Sequence, residues 1–252
     1  MSDAAFLVVV VALTFLLAGL VKGVVGMGLP TVAMGLLSMA MPPAEAAAIL
    51  VIPTLITNIW QMAAGPALLA LVKRFAAMMI GIVAGTFATI GLLTGTSTSI
   101  ATGALGAVLA AYGAYGLVSA RFEIAPESER WLSPVVGLVT GMLTGATGVF
   151  VIPAVPYFNS LRLTKEELIQ SIGISAFFCP LALGLALAAS GRFQAAIVGT
   201  SFLALLPALA GMYAGQFVRG RLEPTVFRRW FFIGLLALGG YMFLRSVTHA
   251  YA

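Results

Sequence analysis

Apolar residues run through the chain in long stretches, at roughly 4–24, 28–41, 44–64, 75–94, 98–120, 131–147, 149–160, 166–190, 194–216 and 227–247. Almost every window of about 20 residues is apolar enough to cross a bilayer, which is the length a crossing helix requires at about 1.5 Å rise per residue. The stretches 28–41 and 149–160 are too short for a comfortable crossing, and each directly follows a glycine-broken segment. Those segments read GLVKGVVGMGLP from Gly19 to Pro30 and GLVTGMLTGATGVFVIP from Gly137 to Pro153. Broken helices at matching places in two halves point to a transporter's binding site.

The pattern repeats beyond the breaks. Setting Gly19 on Gly137 also sets Gly23 on Gly141; farther on, Pro43-Ala-Glu45 falls on Thr164-Lys-Glu166, and Gly85 falls on Gly211. In each half a break and a short apolar piece precede a helix start with an acid behind it, and three long helices follow. Thr164 to Glu167 fits a capping box, a structural use for those acids. Between the halves, residues 121–130 (RFEIAPESER) form the only hydrophilic stretch of any length. The organisation expected is a first transmembrane repeat over 1–120, a cytoplasmic linker over 121–130 and a second repeat over 131–252.

Loop charges decide the topology. If each broken segment counted as one crossing, the basic residues would divide evenly between the two faces. If each is instead a hairpin that returns to the side it entered, Lys73, Arg74, Arg121, Arg130, Arg162, Lys165, Arg219, Arg221, Arg228 and Arg229 share one face, leaving Arg192 and Arg245 opposite. The positive-inside rule makes the first set cytoplasmic and places both termini in the periplasm. Each half then makes an odd net number of crossings, which inverts the second relative to the first. The predicted fold is all-α: a polytopic membrane protein of two inverted repeats, each a broken helical hairpin plus three transmembrane helices.

Composition narrows the function classes. With 61% hydrophobic and 8% charged residues, the chain is a multi-pass membrane protein, and lipid is its surroundings. The net charge of +5 sits in short loops, so nucleic acid is not an expected partner. The single cysteine, Cys179, lies in an apolar run and gives no disulfide framework. The single histidine, His249, lies near the C-terminus, and no phosphate-binding Gly-x-x-x-x-Gly-Lys-Ser/Thr loop occurs, so neither a His-based catalytic dyad, a metal site nor direct ATP coupling is expected. No cofactor is implied and the chain does not read as an enzyme. The first segment lacks a basic leader and a cleavage pattern, so it reads as a retained helix.

In lipid, backbone groups without helical partners cost several kcal/mol each, so a break persists only where protein or a watery cavity surrounds it. Glycine lets N–H groups at a following helix start converge on one spot, where the helix dipole adds about half a positive charge. Gly26, Gly28, Gly145 and Gly148, beside the breaks, are read as site-forming. Gly19 and Gly23 fit a site or close small-xxx-small helix packing equally. Lys22 is a basic residue inside the first apolar segment, beside the break; it either holds an anion or snorkels to the interface. Thr31, Thr140, Thr144 and Thr147 supply hydroxyls near the breaks, although threonine in a helix also bonds its own preceding carbonyl. On the following helices Thr54, Thr57, Asn58 and Gln61, then Gln170, Ser171 and Ser175, are polar in apolar surroundings and together outline a substrate path; Pro53 and Pro180 stand near the middle of these helices. The candidate substrate-binding set is Lys22, Gly26, Gly28, Thr31, Asn58, Gln61, Thr140, Thr144, Thr147, Gly148, Gln170, Ser171 and Ser175.

A repeated glycine-rich break after the first helix of each half, a proline shortly beyond it, and about eight segments in this length resemble the TauE/SafE family of sulfite and organosulfonate exporters. The residues from Gly19 to Asn58 and from Gly137 to Pro180 carry the resemblance. It implies a secondary transporter of the bacterial inner membrane that exports a small sulfur-containing anion such as sulfite or sulfoacetate by alternating access. Protons or another ion are the candidate coupling species, and a homodimer is the candidate assembly. A passive anion channel and a membrane scaffold component of a larger uptake or assembly complex are the alternatives.

Overall fold

A computed structural model describes residues 3–63, 65–95, 98–118, 123–221 and 223–250, and among these the chain is helical throughout, with no strand. Arg121 lies outside the described residues. The helices are α1 (Asp3–Val25), α2 (Leu29–Leu37), α3 (Pro43–Ala63), α4 (Leu68–Arg74), α5 (Ala76–Thr94), α6 (Thr98–Val118), α7 (Pro126–Thr147), α8 (Ala154–Ser160), α9 (Lys165–Ala189), α10 (Ala195–Arg219) and α11 (Pro224–Ala250). Seven of them, α1, α3, α5, α6, α9, α10 and α11, are long and apolar enough to cross a membrane.

Each expected break has a local backbone cause. Helix α1 stops at Val25 because Gly26 and Gly28 take φ values of 85° and 107°, left-handed conformations that favour glycine. Pro30 then sits in the first turn of α2, where its missing N–H is not needed. Helix α7 stops at Thr147 with Gly148 at φ 72°. Thr164 caps α9 through a complete capping box with Glu167, as the sequence predicts. Helix α7 begins at Pro126, inside the hydrophilic stretch 121–130, so part of that stretch is helical. Helices α3 and α9 run through Pro53 and Pro180.

Side-chain partners fix which helix ends lie together. Arg74 at the end of α4 grips Glu129 at the start of α7, Nε to Oε1 at 2.6 Å and Nη2 to Oε2 at 2.7 Å, and this raises the Arg74 pKa above its usual value. The Ile124 N–H donates to the Ser160 carbonyl at 3.0 Å, and Gln170 donates to the Gly65 carbonyl at 2.8 Å. Residues 65–67, the start of α7, the end of α8 and the start of α9 therefore share one face. The second hairpin, α7–α8, returns to the side it entered, pinned by Ser133 Oγ and Tyr157 Oη at 2.6 Å. At the opposite face Arg192 donates to the Thr94 carbonyl, and Ser99 to the Ser246 carbonyl.

The two halves pack by exchange. The most extensive contacts are α7 on α5, α1 on α10, α6 on α11 and α3 on α9. Gly137 and Gly141 lie against the Met78 and Ile82 carbonyls, so α5 and α7 are parallel; Gly19 and Gly23 lie against the Ala208 and Met212 carbonyls, so α1 and α10 are parallel too. A Cβ on any of these four glycines would stand within 3 Å of a backbone oxygen, so their role is close packing. Gly145, read as site-forming, likewise packs against Thr86 and Thr89. The contacts also shift one sequence equivalence by a turn. Gly81 meets Pro134 and Leu138 as Gly211 meets Leu16 and Leu20, so Gly81 matches Gly211 and Gly85 matches Gly215. Glycines four apart offer two registers, and only the packing chooses between them.

Gly145 is level with Thr86 and Thr89 of α5, which continues to Thr94; Gly23 is level with Met212, Gly215 and Gln216 of α10, so Gly26 and Gly28, about a turn farther on, come level with the end of α10 at Arg219.

Candidate functional site

A cleft opens at the tip of the first hairpin. Its walls are Lys22, Gly26 and Gly28 of the break, Asn58 and Gln61 of α3, Ser175 of α9, and the apolar side chains of Phe150, Val151 and Val155 from the second hairpin. The narrow end has about 30 Å³ of room, about two waters' worth. It broadens into a vestibule of about 340 Å³ that shares Lys22, Gly26, Met27, Gln61 and Ile172 with the cleft. Trp60, Ile169, Gln216 and Arg219 form the vestibule's outer part, near the ends of α3 and α10 and the start of α9.

Lys22 stands at the centre of this geometry. It lies in the last turn of α1, is only 6% exposed, and points inward to α3, so it does not snorkel. Its ammonium donates to Thr57 Oγ1 at 3.0 Å and to Asn58 Oδ1. Asn58 is held in turn by donating from Nδ2 to the Ala176 carbonyl at 2.8 Å, and Thr57 donates to the Pro53 carbonyl at 2.8 Å. An ammonium has three donors, and among the described residues two acceptors meet them, Thr57 Oγ1 and Asn58 Oδ1. Among the described residues no carboxylate lies within ion-pair distance of it. A buried cation without a counter-charge is costly, and an anion in the cleft would relieve that cost.

The backbone adds to this field. Helix α2 begins at the cleft, where Gly28 and Pro30 are in the wall, and its N-terminus has no side-chain cap. The dipole end is therefore open toward the place where Lys22 looks. Gly26 has free space where a Cβ would be, so the wall there is bare backbone. Tyr112 of α6 steadies the tip, its hydroxyl donating to Met27 Sδ at 3.3 Å.

The other half does not contribute in the same way. Thr140, Thr144 and Thr147 donate to the Val136, Thr140 and Leu143 carbonyls at 2.7 Å each, and none of them lines the cleft. Thr31 donates to the Gly28 carbonyl at 2.8 Å, also outside the wall. Gly148 lies against Met34 and Ala47. Gln170 is a brace: its Oε1 accepts from Ala67 N and its Nε2 donates to the Met62 and Gly65 carbonyls. Ser171 is fully buried, and its hydroxyl has no partner among the described residues. Of the thirteen candidates the fold brings Lys22, Gly26, Gly28, Asn58, Gln61 and Ser175 to one cleft. Sequence reasoning left out the apolar wall from 150 to 155, and Gln216 and Arg219 of α10. Its one available signal for the last two was the Gly211 and Gly215 pair that seats α10 on α1.

The model of the sulfite exporter TauE/SafE family matches residues 11–242. The chain belongs to that family. No curated protein and no solved structure matches it. Within this TauE/SafE chain the match spans both hairpins, the cleft and the vestibule.

Proposed function

We propose that this TauE/SafE protein is a secondary transporter, not an enzyme, that exports a small sulfur-containing anion, sulfite, sulfoacetate or a related organosulfonate, across the bacterial inner membrane. One observation carries the reading: a buried ammonium with a donor to spare and no carboxylate partner, set in a cleft beside an uncapped helix start. Phe150, Val151 and Val155 would exclude water from one side of the ion, and Asn58, Gln61 and Ser175 would meet its oxygens.

Alternating access is supported by the exchange packing. Parallel α1–α10 and α5–α7 pairs support reading the halves 1–120 and 131–252, joined through 121–130, as an inverted repeat. The face carrying Lys73, Arg74, Arg130, Arg162, Lys165, Arg219 and Arg221 is then cytoplasmic, the termini are periplasmic, and the vestibule opens inward. The coupling ion is a proton or another ion drawn from its gradient. Counterflow tests the reading: proteoliposomes preloaded with unlabelled sulfite should accumulate labelled sulfite transiently. Steady conductance without counterflow would make the protein a channel, and neither activity would make it a scaffold.

A further inference from the structure

A second basic cavity lies away from the cleft, where the end of α6 meets the start of α11. It has about 430 Å³ of room and is lined by Gly116 and Leu117 of α6 and by Thr225, Arg228, Arg229 and Ile233 of α11. None of these residues lines the cleft or the vestibule. The helices come together here because Gly113 lies against the Phe232 carbonyl and Gly116 against the Phe232 ring, and a side chain at Gly116 would fill that space. Two guanidiniums and a hydroxyl thus stand in the lining of one concavity, and among the described residues no carboxylate is part of that lining. Arginine's planar fork suits phosphate oxygens better than any other cation in the protein repertoire.

The surroundings decide between a soluble anion and a lipid. The cavity sits at the ends of two helices that are long and apolar enough to cross a membrane. Its wall includes Leu117 and Ile233, each 36% exposed, and the neighbouring Val118 and Trp230 are 74% and 68% exposed. An exposed tryptophan beside exposed aliphatic residues marks the level where head groups meet acyl chains. A basic pocket between membrane helices at that level has the chemistry for a phospholipid head group.

We propose that this cavity binds the phosphate of an anionic phospholipid, with Arg228 and Arg229 on the head group and Leu117, Val118 and Ile233 along its chains. The lipid would tie α6 to α11, the pair in which the ends of the two halves meet. The test uses full-length protein in detergent, titrated with phosphatidylglycerol and with phosphatidylcholine and read by native mass spectrometry. Wild type should retain one phosphatidylglycerol in preference to phosphatidylcholine. The double variant R228Q/R229Q should lose about thirty-fold of that preference, about fivefold per arginine. Equal preference in the variant and the wild type overturns the proposal. Wild type has a second readout that does not depend on the variant folding: millimolar inorganic phosphate should not displace phosphatidylglycerol, and full displacement would make the cavity a site for soluble anions. Sulfite counterflow does not enter either measurement, so the lipid site and the transport function stand or fall separately.

Discussion

Replacing Lys22 with methionine removes the charge and keeps most of the shape. An anion resting about 4 Å from the ammonium gains about 4 kcal/mol at an effective dielectric of about 20. That corresponds to roughly a thousandfold in affinity at about 1.4 kcal/mol per decade. Desolvation of the anion itself reduces the net effect, so the expected weakening of sulfite or sulfonate binding is about a hundredfold to a thousandfold. Stability should respond differently. Asn58 Oδ1 loses its donor, a cost of about 1–3 kcal/mol for a buried acceptor, whereas Thr57 keeps its bond to the Pro53 carbonyl. Against that, a buried ammonium with no counter-charge disappears, which is worth a comparable amount. Lys22→Met should therefore unfold at a temperature within a few degrees of wild type while binding collapses.

The assay pairs thermal unfolding with equilibrium binding of labelled sulfite in purified protein. Lys22→Arg restores the charge with different geometry and should fall between the two. If Lys22→Met binds within about threefold of wild type and remains folded, the ammonium is a packing element bonded to Thr57 and Asn58, and the electrostatic account of the cleft is wrong.

Other expectations follow from the packing and the vestibule. Gly19→Ala and Gly137→Ala each force a Cβ onto a facing backbone carbonyl and should lower stability by about 1–3 kcal/mol in thermal unfolding, whereas Gly91→Ala, with open space at its Cβ, should be neutral or raise it by about 0.5–1 kcal/mol. Gln170→Leu strips a partner from Ala67 N and from the Met62 and Gly65 carbonyls; unfolding should shift by about 2–4 kcal/mol with the binding constant for sulfite unchanged, and a lost affinity would move Gln170 into the site. Arg219→Gln at the vestibule mouth should slow anion entry severalfold at low salt and much less at high salt, read as uptake rate against ionic strength; a salt-independent change would refute steering. Single cysteines at Arg74 and Arg192, in a Cys179→Ala background, should label from opposite sides of the membrane, and labelling of both from one side would overturn the hairpin topology.

The repeat is legible in the sequence because its physical cause is local. A left-handed turn favours glycine, a close helix crossing excludes any Cβ, and both leave glycine at fixed places in each half. The breaks and the long apolar helices follow from those places together with run lengths. What the pattern does not carry is depth and partner choice. Thr140 and Lys22 occupy matching positions 118 apart, and nothing local says that one hydroxyl will close on its own helix while the ammonium reaches across to α3. Gln170 reads as a path residue until the turn after α3 is seen wrapped around its amide. Arg219 reads as one more loop charge until Gly215 seats α10 on α1 and brings it to the vestibule.

The glycine framework and the chemistry thus obey different rules. The framework must be present twice, because α1 needs a carbonyl groove on α10 and α7 needs one on α5, and a bulky residue on either side breaks the exchange. A charge need be present only once. Placing a second lysine at the buried Thr140 position would bury another ammonium, and at the 121-residue offset between the halves Cys179 stands where the first half has Asn58. No amide oxygen would receive it, and the cost of several kcal/mol would fall on folding. A repeated scaffold with one cationic hairpin is the arrangement these costs favour, and under the proposed function the first hairpin would be the anion's partner and the second its apolar cover.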